Sequence, residues 1–254
     1  MEHMTRRRFI GWGVAGAATA CSGSWLTGSS LFAAEANPAK LKSRPGKPTK
    51  PAQIGIHDLG LAKGKDGVLS VPKTYKPGKP VPLIFMLHGA LGRYPSYNLF
   101  CEVAAEEGIA VVTPDSRGRT WDFLLGGFGP DIAFLDRALA YTFERVAIDP
   151  KRIALAGFSD GGSYALTVGL ANGDLFTHVM AFSPGFMVPP VRVGKPRVFV
   201  THGRNDEVLP VGGSRDEIVP QLKRWGHEVV YKEFAGGHAL EPDLGRQAFR
   251  WMIK

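Results

Sequence analysis

The chain of 254 residues lacks the features that define several large classes of protein. Two cysteines are too few for a disulfide scaffold, and 32 glycines without a regular period exclude a collagen-like chain. Hydrophobic residues make up 44% of the sequence, which excludes disorder over the whole length. Such a chain is long enough to bury a substantial core, and one principal domain is expected.

The excess of positive charge is unevenly distributed along the chain. Residues 1–52 contain eight lysines and arginines and two glutamates, so the remainder carries only +2 of the total net charge of +8. That remainder has no stripe of basic residues interleaved with aromatic ones, the pattern typical of a nucleic-acid-binding surface. A nucleic-acid partner is therefore not expected.

The N-terminus has the pattern of an export signal. Thr5–Ile10 places three arginines before the weakly apolar run Ile10–Ala20, and it resembles a twin-arginine signal. This run is too short to cross a hydrocarbon core about 30 Å thick. Ala34–Ala36 fits a cleavage site, whereas Ala18–Cys21 offers a second processing point that would place a lipid anchor on Cys21. A basic tail without a signal is the alternative.

The signal implies where the mature protein acts and how the chain is divided. The expected partner of the precursor is the twin-arginine export machinery, and the expected location is the bacterial periplasm or the medium, with membrane anchoring through Cys21 left open. Residues 37–52 are rich in proline and lysine and lack apolar periodicity, which predicts a linker. Residues 53–254 are then expected to form a single domain.

The body alternates short apolar runs with helical patterns, which predicts an α/β protein with a doubly wound, mostly parallel sheet flanked by helices. The predicted strands are Val81–His88, Ile109–Pro114, Arg152–Gly157, His178–Ser183, Arg197–Gly203 and Val229–Phe234. The predicted helices are Leu99–Glu107, Asp131–Arg145, Ser159–Leu170, Asp216–Trp225 and Pro242–Ile253. An antiparallel hairpin is expected within Gly60–Val71.

One of these strands runs directly into the pattern Gly157-x-Ser159-x-Gly161. A serine on a sharp turn between strand and helix needs small residues two positions before and after it, and both are glycine here. The strand and helix that the motif requires are both predicted, so Ser159 is the candidate nucleophile. The alternative is that Ser159 only caps the following helix.

A serine nucleophile requires a base, and in this type of fold the base follows the acid, which follows the serine. Three histidines precede Ser159 and fail on order: His3, His57 and His88. Three more lie in or beside predicted strands: His178, His202 and His227. His238 alone follows the last strand, after two glycines, and is the candidate base; an ordinary loop histidine is the alternative.

The acid is expected on the loop after the strand Arg197–Gly203. Asp206 lies there, and Glu207 is its nearest rival. An aspartate that only stabilises a turn is a further alternative. Residue order does not separate Asp206 from Glu207.

The body resembles the α/β-hydrolase superfamily, and within it the phospholipase/carboxylesterase group of acyl-protein thioesterases and dienelactone-hydrolase-like esterases. The resemblance rests on four runs: Leu87–Gly89, Gly157–Gly162, His202–Pro210 and Gly237–His238. It implies that Asp206 and His238 complete a triad with Ser159, and that the chain is a serine carboxylesterase cleaving carboxylic esters through an acyl-enzyme. Two departures put thioesterase activity in doubt. Asp160 stands where thioesterases commonly have glutamine, and His88–Gly92 replaces the typical H-G-x-G-D run.

Acyl transfer also needs backbone donors for the oxyanion and a pocket for the substrate. The N–H of Asp160 is one candidate donor, and Ala90 or Leu91 supplies the second. The candidate pocket residues are apolar side chains on loops at the carboxyl ends of strands: Trp121, Phe123, Phe186 and Met187. The alternative is that these side chains only pack the loops onto the domain.

No metal and no other cofactor is expected. The sequence contains no H-E-x-x-H motif, no paired cysteines and no G-x-x-x-x-G-K-[ST] loop. The expected ligand is a small-molecule or polymer-derived ester. Two other functions remain open at this point, a serine peptidase on the same fold and a non-catalytic protein that binds carbohydrate or lipid.

Overall fold

The computed structural model describes residues 37–92 and 98–254. The predicted export signal, its cleavage site and Cys21 fall within residues 1–36 and lie outside the described residues. The fold below is that of the unit Asn37–Lys254.

The described residues form one eight-stranded sheet, and the predicted doubly wound, mostly parallel architecture is confirmed. The strands are β1 (Gly55–Asp58), β2 (Gly67–Val71), β3 (Val81–Leu87), β4 (Ala110–Pro114), β5 (Ile148–Phe158), β6 (His178–Phe182), β7 (Arg197–Gly203) and β8 (Val229–Phe234). Their order across the sheet is β1-β2-β4-β3-β5-β6-β7-β8, and the six strands from β4 to β8 in that order run parallel.

The described residues also form five α-helices, of which the last follows the final strand. They are α1 (Asn98–Glu106), α2 (Pro130–Phe143), α3 (Asp160–Ala171), α4 (Val219–Arg224) and α5 (Pro242–Ile253). A 3-10 turn, Asp122–Leu125, precedes α2, and a π-helical turn, Gly213–Ile218, leads into α4. The helix predicted at Asp216–Trp225 therefore has two parts with different hydrogen bonding.

The side chains of the central strand β3 point alternately to the two faces of the sheet, and each face is covered by its own apolar core. Leu83 and Phe85 of β3 face a cluster that contains Leu135 of α2, whereas Ile84 faces a second cluster that contains Phe249 of α5. Successive side chains of a strand point to opposite faces, so a strand covered on both sides must be apolar at almost every position. This requirement explains the continuous apolar runs in the sequence.

The predicted hairpin exists, but its first strand is earlier than expected. β1 and β2 pair antiparallel, with Gly55 opposite Val71 and Asp58 opposite Val68. Residues 59–66 form the connection, where the Asp66 carboxylate accepts the N–H groups of Gly60, Leu61 and Ala62.

The prediction of a linker at residues 37–52 is wrong, because this segment packs against the domain. We call residues 37–50 the strap. Ala39 and Leu41 are fully buried, and the side chain of Asn172 accepts the N–H of Leu41 and donates to the carbonyl of Ala39. Asp136 of α2 accepts the N–H groups of Lys42 and Ser43. The strap is held by two buried apolar side chains and by polar partners that are distant in the sequence. Amino-acid composition alone reveals neither kind of contact.

In the part of the chain that the structure describes, no helix is both long and apolar enough to cross a membrane.

Candidate active site

Ser159 occupies a sharp turn between β5 and α3. Its backbone has φ 57° and ψ −122°, a conformation that a residue with a side chain adopts only at a cost. A Cβ on Gly157 would lie 2.1 Å from the carbonyl oxygen of Gly161, and one on Gly161 would lie 2.4 Å from that of His88. The two glycines therefore permit the backbone contact that presents Ser159 at the carboxyl edge of the sheet.

His238 connects Ser159 to Asp206. Its Nε2 lies 2.8 Å from Ser159 Oγ, and its Nδ1 lies 2.7 Å from Asp206 Oδ2. Gly203, at the end of β7, allows the loop carrying His238 to approach, because a Cβ there would lie 2.2 Å from the Gly237 carbonyl oxygen. The ring of Phe158 lies 4.8 Å from the imidazole. The structure thus brings together the three residues predicted as nucleophile, base and acid.

Asp206 is held as a carboxylate by several donors. Its Oδ1 accepts the N–H groups of Val208, at 2.9 Å, and Leu209, at 2.8 Å. Burial alone would raise the pKa of Asp206, but the N–H groups of Leu209 and Val208 together with the His238 side chain hold the pKa below its ordinary value. Glu207 is exposed to solvent and is not the residue that contacts His238.

Four other histidines of the described body lie in different surroundings. His178 and His227 are at the amino edge of the sheet, where His227 Nδ1 contacts the Pro196 carbonyl and burial lowers the pKa of both rings. His88 is buried after β3, and its Nε2 accepts the N–H of Ser116. His202 is fully buried beside Asp206.

Of the two predicted positions for the second oxyanion donor, the structure excludes Leu91. The N–H of Leu91 donates to the Arg119 carbonyl at 2.9 Å, and its side chain is 77% exposed with φ 58°. The prediction for Leu91 is therefore wrong, and Ala90 remains the candidate. A Cβ on the adjacent Gly89 would lie only 3.2 Å from Ser159 Cβ, so this loop passes directly beside the nucleophile.

Asp160 begins α3, where a backbone N–H has no carbonyl partner within the helix. This N–H remains the other candidate donor. The Asp160 side chain accepts a 2.7 Å hydrogen bond from the Thr120 hydroxyl. Sequence reasoning missed Thr120, because nothing in the local pattern pairs it with a residue on α3.

Trp121 does not line a pocket, and its prediction as a substrate contact is wrong. Its side chain is fully buried, donates from Nε1 to the His88 carbonyl at 2.8 Å and stacks on Tyr164 with ring centroids 5.3 Å apart. An indole buried in this way fixes the loop that follows β4. Through His88, Trp121 therefore supports the loop after β3 that carries Ala90.

The other three predicted pocket residues are half-buried. The rings of Phe123 and Phe186 lie 6.3 Å apart on neighbouring loops, and Phe128 extends the group at 4.9 Å from Phe123. Met187 packs against the core. Leu125 and Phe128 also border an open cavity of about 440 Å³. Sequence reasoning missed Phe128, which lies beyond the 3-10 turn that folds it back.

No group of three or more metal-ligating side chains occurs within residues 37–92 and 98–254.

Comparisons with known proteins give a consistent result. A family model described as phospholipase/carboxylesterase matches residues 132–244, which include Ser159, Asp206 and His238. A feruloyl esterase C from Emericella nidulans is 29% identical over 161 residues, which cover 59% of this chain and 58% of that protein. The chain thus spans less than two thirds of the length of this relative.

Two solved structures show the same fold. An esterase designated PE8 superimposes with a TM-score of 0.60 at 20% identity, covering 79% of this chain and 99% of that one. A ferulic acid esterase from Anaeromyces mucronatus gives a TM-score of 0.56 at 19% identity, covering 83% and 96% of the two chains. The α/β-hydrolase fold implied by the sequence resemblance is confirmed.

Proposed function

We propose that this chain belongs to the α/β-hydrolase superfamily, near its phospholipase/carboxylesterase group, and hydrolyses carboxylic esters through an acyl-enzyme on Ser159. The observation that carries the proposal is the unbroken hydrogen-bond chain from Ser159 Oγ through His238 to Asp206. A serine hydroxyl is a poor nucleophile at neutral pH unless a positioned base accepts its proton.

The proposed reaction follows from the positions of these atoms. Neutral His238 accepts the Ser159 proton through Nε2 while Oγ attacks the ester carbonyl carbon, and Asp206 stabilises the imidazolium that forms. The N–H groups of Ala90 and Asp160 donate to the developing oxyanion. His238 then protonates the leaving alcohol, and a water molecule, deprotonated by the same nitrogen, hydrolyses the acyl-enzyme.

The proposed substrates are esters with an aromatic acyl group, such as hydroxycinnamates. The half-buried rings of Phe123, Phe128 and Phe186 support this choice, because an aromatic acyl group can pack on such rings in the way that they pack on one another. The relatives named as feruloyl and ferulic acid esterases support it independently.

We further propose that the enzyme acts outside the bacterial cytoplasm, delivered by the twin-arginine export machinery. Thr5–Ile10 supports this proposal. Cell fractionation of the full chain, of an Arg6→Lys/Arg7→Lys/Arg8→Lys variant and of Cys21→Ala tests it. We expect retention in the cytoplasm for the arginine variant, and release of membrane-bound protein by Cys21→Ala only if Cys21 carries lipid.

A substrate panel tests the esterase proposal. We expect hydrolysis of ethyl ferulate and p-nitrophenyl acetate, weaker hydrolysis of p-nitrophenyl octanoate, and no cleavage of a peptide anilide. A fluorophosphonate should label Ser159 alone, as mapped by peptide mass spectrometry. Cleavage of the anilide at comparable rates would favour a peptidase. Absence of both turnover and labelling in folded protein would favour a binding protein.

A further inference from the structure

A second histidine contacts the carboxylate of Asp206. His202 lies one residue before the end of β7, and its side chain is fully buried. Its Nε2 is 3.2 Å from Asp206 Oδ2, the same oxygen that lies 2.7 Å from His238 Nδ1. The esterase mechanism proposed above gives His202 no role.

The surrounding atoms determine where His202 carries its proton. Nε2 faces two acceptors, the Leu209 carbonyl oxygen at 2.7 Å and Asp206 Oδ2 at 3.2 Å. A lone pair on Nε2 would face two oxygens in a buried site, which is strongly unfavourable, so this nitrogen is the donor. Nδ1 lies 2.7 Å from the hydroxyl of buried Ser214, which donates to it in the neutral ring.

His202 also supports Asp206 through Leu209. The carbonyl of Leu209 accepts from His202, while the N–H of the same residue donates to Asp206 Oδ1 at 2.8 Å. The turn that carries Asp206 is therefore held on both sides of one peptide unit. Rigid placement of this kind is required of a carboxylate that must orient an imidazole.

We infer that His202 is a positioning residue for Asp206: its Nε2–H donates to the Leu209 carbonyl, which fixes the turn that points the carboxylate at His238, and Nε2 lies 3.2 Å from Oδ2. The hydrogen-bond donors to the carboxylate itself are the N–H groups of Val208 and Leu209 and the His238 side chain. This inference rests on the proposed function, since it assigns a role within the same triad.

The role has a direction that can be measured. A carboxylate that loses the N–H dipole of a histidine at this distance becomes more basic and attracts the His238 imidazolium more strongly. The acid limb of kcat/KM should then move to higher pH. Other charged groups nearby are exposed Arg204 and Glu207, and Glu233 on β8, which is paired with Arg215. They stay the same in every variant compared.

The experiment compares His202→Met with His202→Gln. The two replacements have similar shape, but only glutamine keeps an N–H near the position of Nε2. On a small ester between pH 5 and 9, we expect His202→Met to lower kcat/KM about tenfold or more and to shift the acid limb upward by about half a pH unit. We expect His202→Gln to return the limb to its wild-type position.

An unmoved acid limb in active His202→Met would overturn the inference, as would equal behaviour of the two variants, because a residue that only packs the core affects rate without affecting the limb. If His202→Met does not fold, Ser214→Ala provides the same test. It leaves the imidazole in place and weakens its N–H as a donor, so a smaller upward shift is expected, and no shift rejects the role. Failure of the esterase proposal itself would instead appear in the wild type, as folded protein without turnover or labelling at Ser159.

Discussion

The two edges of the parallel sheet differ in backbone strain and in packing. At the carboxyl edge, Leu91, Ser159 and Ser183 all have positive φ, and polar side chains form a connected network around Ser159. At the amino edge, the ends of α2 and α3 are covered by the strap, which buries Ala39 and Leu41. Backbone strain is concentrated where substrate is expected to bind. Packing at the opposite edge helps to stabilise the fold against this strain.

The largest expected effect concerns Ser159 itself. Ser159→Ala and Ser159→Gly should each reduce ester hydrolysis by on the order of 10⁵-fold or more. In urea unfolding, Ser159→Gly should also have a free energy of unfolding about 1 kcal/mol higher than that of Ser159→Ala. The reason is that glycine, which has no Cβ, adopts the backbone conformation of the elbow without steric cost. Substantial residual turnover in Ser159→Ala would remove the nucleophile assignment. Equal stability of the two variants would show that the elbow stores no strain.

The second comparison separates two neighbouring acids on one loop. Asp206→Asn should lower kcat by about 10³–10⁴-fold, because an amide cannot stabilise the imidazolium and disturbs the tautomer of His238. Glu207→Gln should change kcat by less than about twofold, because that exposed surface charge makes no contact with the imidazole. Steady-state kinetics on p-nitrophenyl acetate measure both, and similar losses would contradict the assignment of the acid.

The third prediction tests the opposite edge. Leu41→Ala should destabilise the fold by about 2–4 kcal/mol through loss of buried contacts in the strap. Its kcat on a small ester should stay unchanged at 25 °C. Ile54→Ala is the matched control, because Ile54 is 46% exposed and should cost little. A fall in kcat without loss of stability in Leu41→Ala would contradict the division of roles between the edges.

The smallest expected effect is a pH dependence at the amino edge. Burial, followed by the charge of Arg197, lowers the pKa of His178 to about 4. The unfolded state then binds more protons than the folded state between pH 6.5 and pH 4, so stability falls as the pH falls through that window. We expect a contribution on the order of 2 kcal/mol, below the full linkage value because His178 borders a cavity that is open to the surface.

Urea unfolding at pH 7 and pH 4.5 checks this value. His178→Asn keeps a hydrogen-bonding side chain for the Thr177 hydroxyl but removes the titration, so its stability should depend less on pH than that of the wild type. The absolute stability of the variant is immaterial to this test. An identical change between the two pH values in both proteins would exclude His178 as the source.

The sequence was sufficient to predict those features of the site that depend on a local pattern or on the order of residues along the chain. The elbow at Ser159 follows from its two glycines and flanking elements, and His238 follows from its place after the last strand. Prediction failed where one contact with a distant residue decides the outcome. Leu91 is excluded only by the Arg119 carbonyl, Trp121 is buried because Tyr164 stacks on it, and the strap is held by Asn172.

The strap has a consequence for the order in which the chain folds. Its hydrogen bonds to the rest of the domain join residues separated by 93 to 134 positions, so we expect it to dock after α2 and α3 have assembled on the sheet. Contacts formed after the folding transition state slow unfolding and leave the folding rate nearly unchanged. Loosening the strap should therefore shorten the lifetime of the native state. Stopped-flow experiments should show a higher unfolding rate constant, extrapolated to zero denaturant, and an unchanged refolding rate.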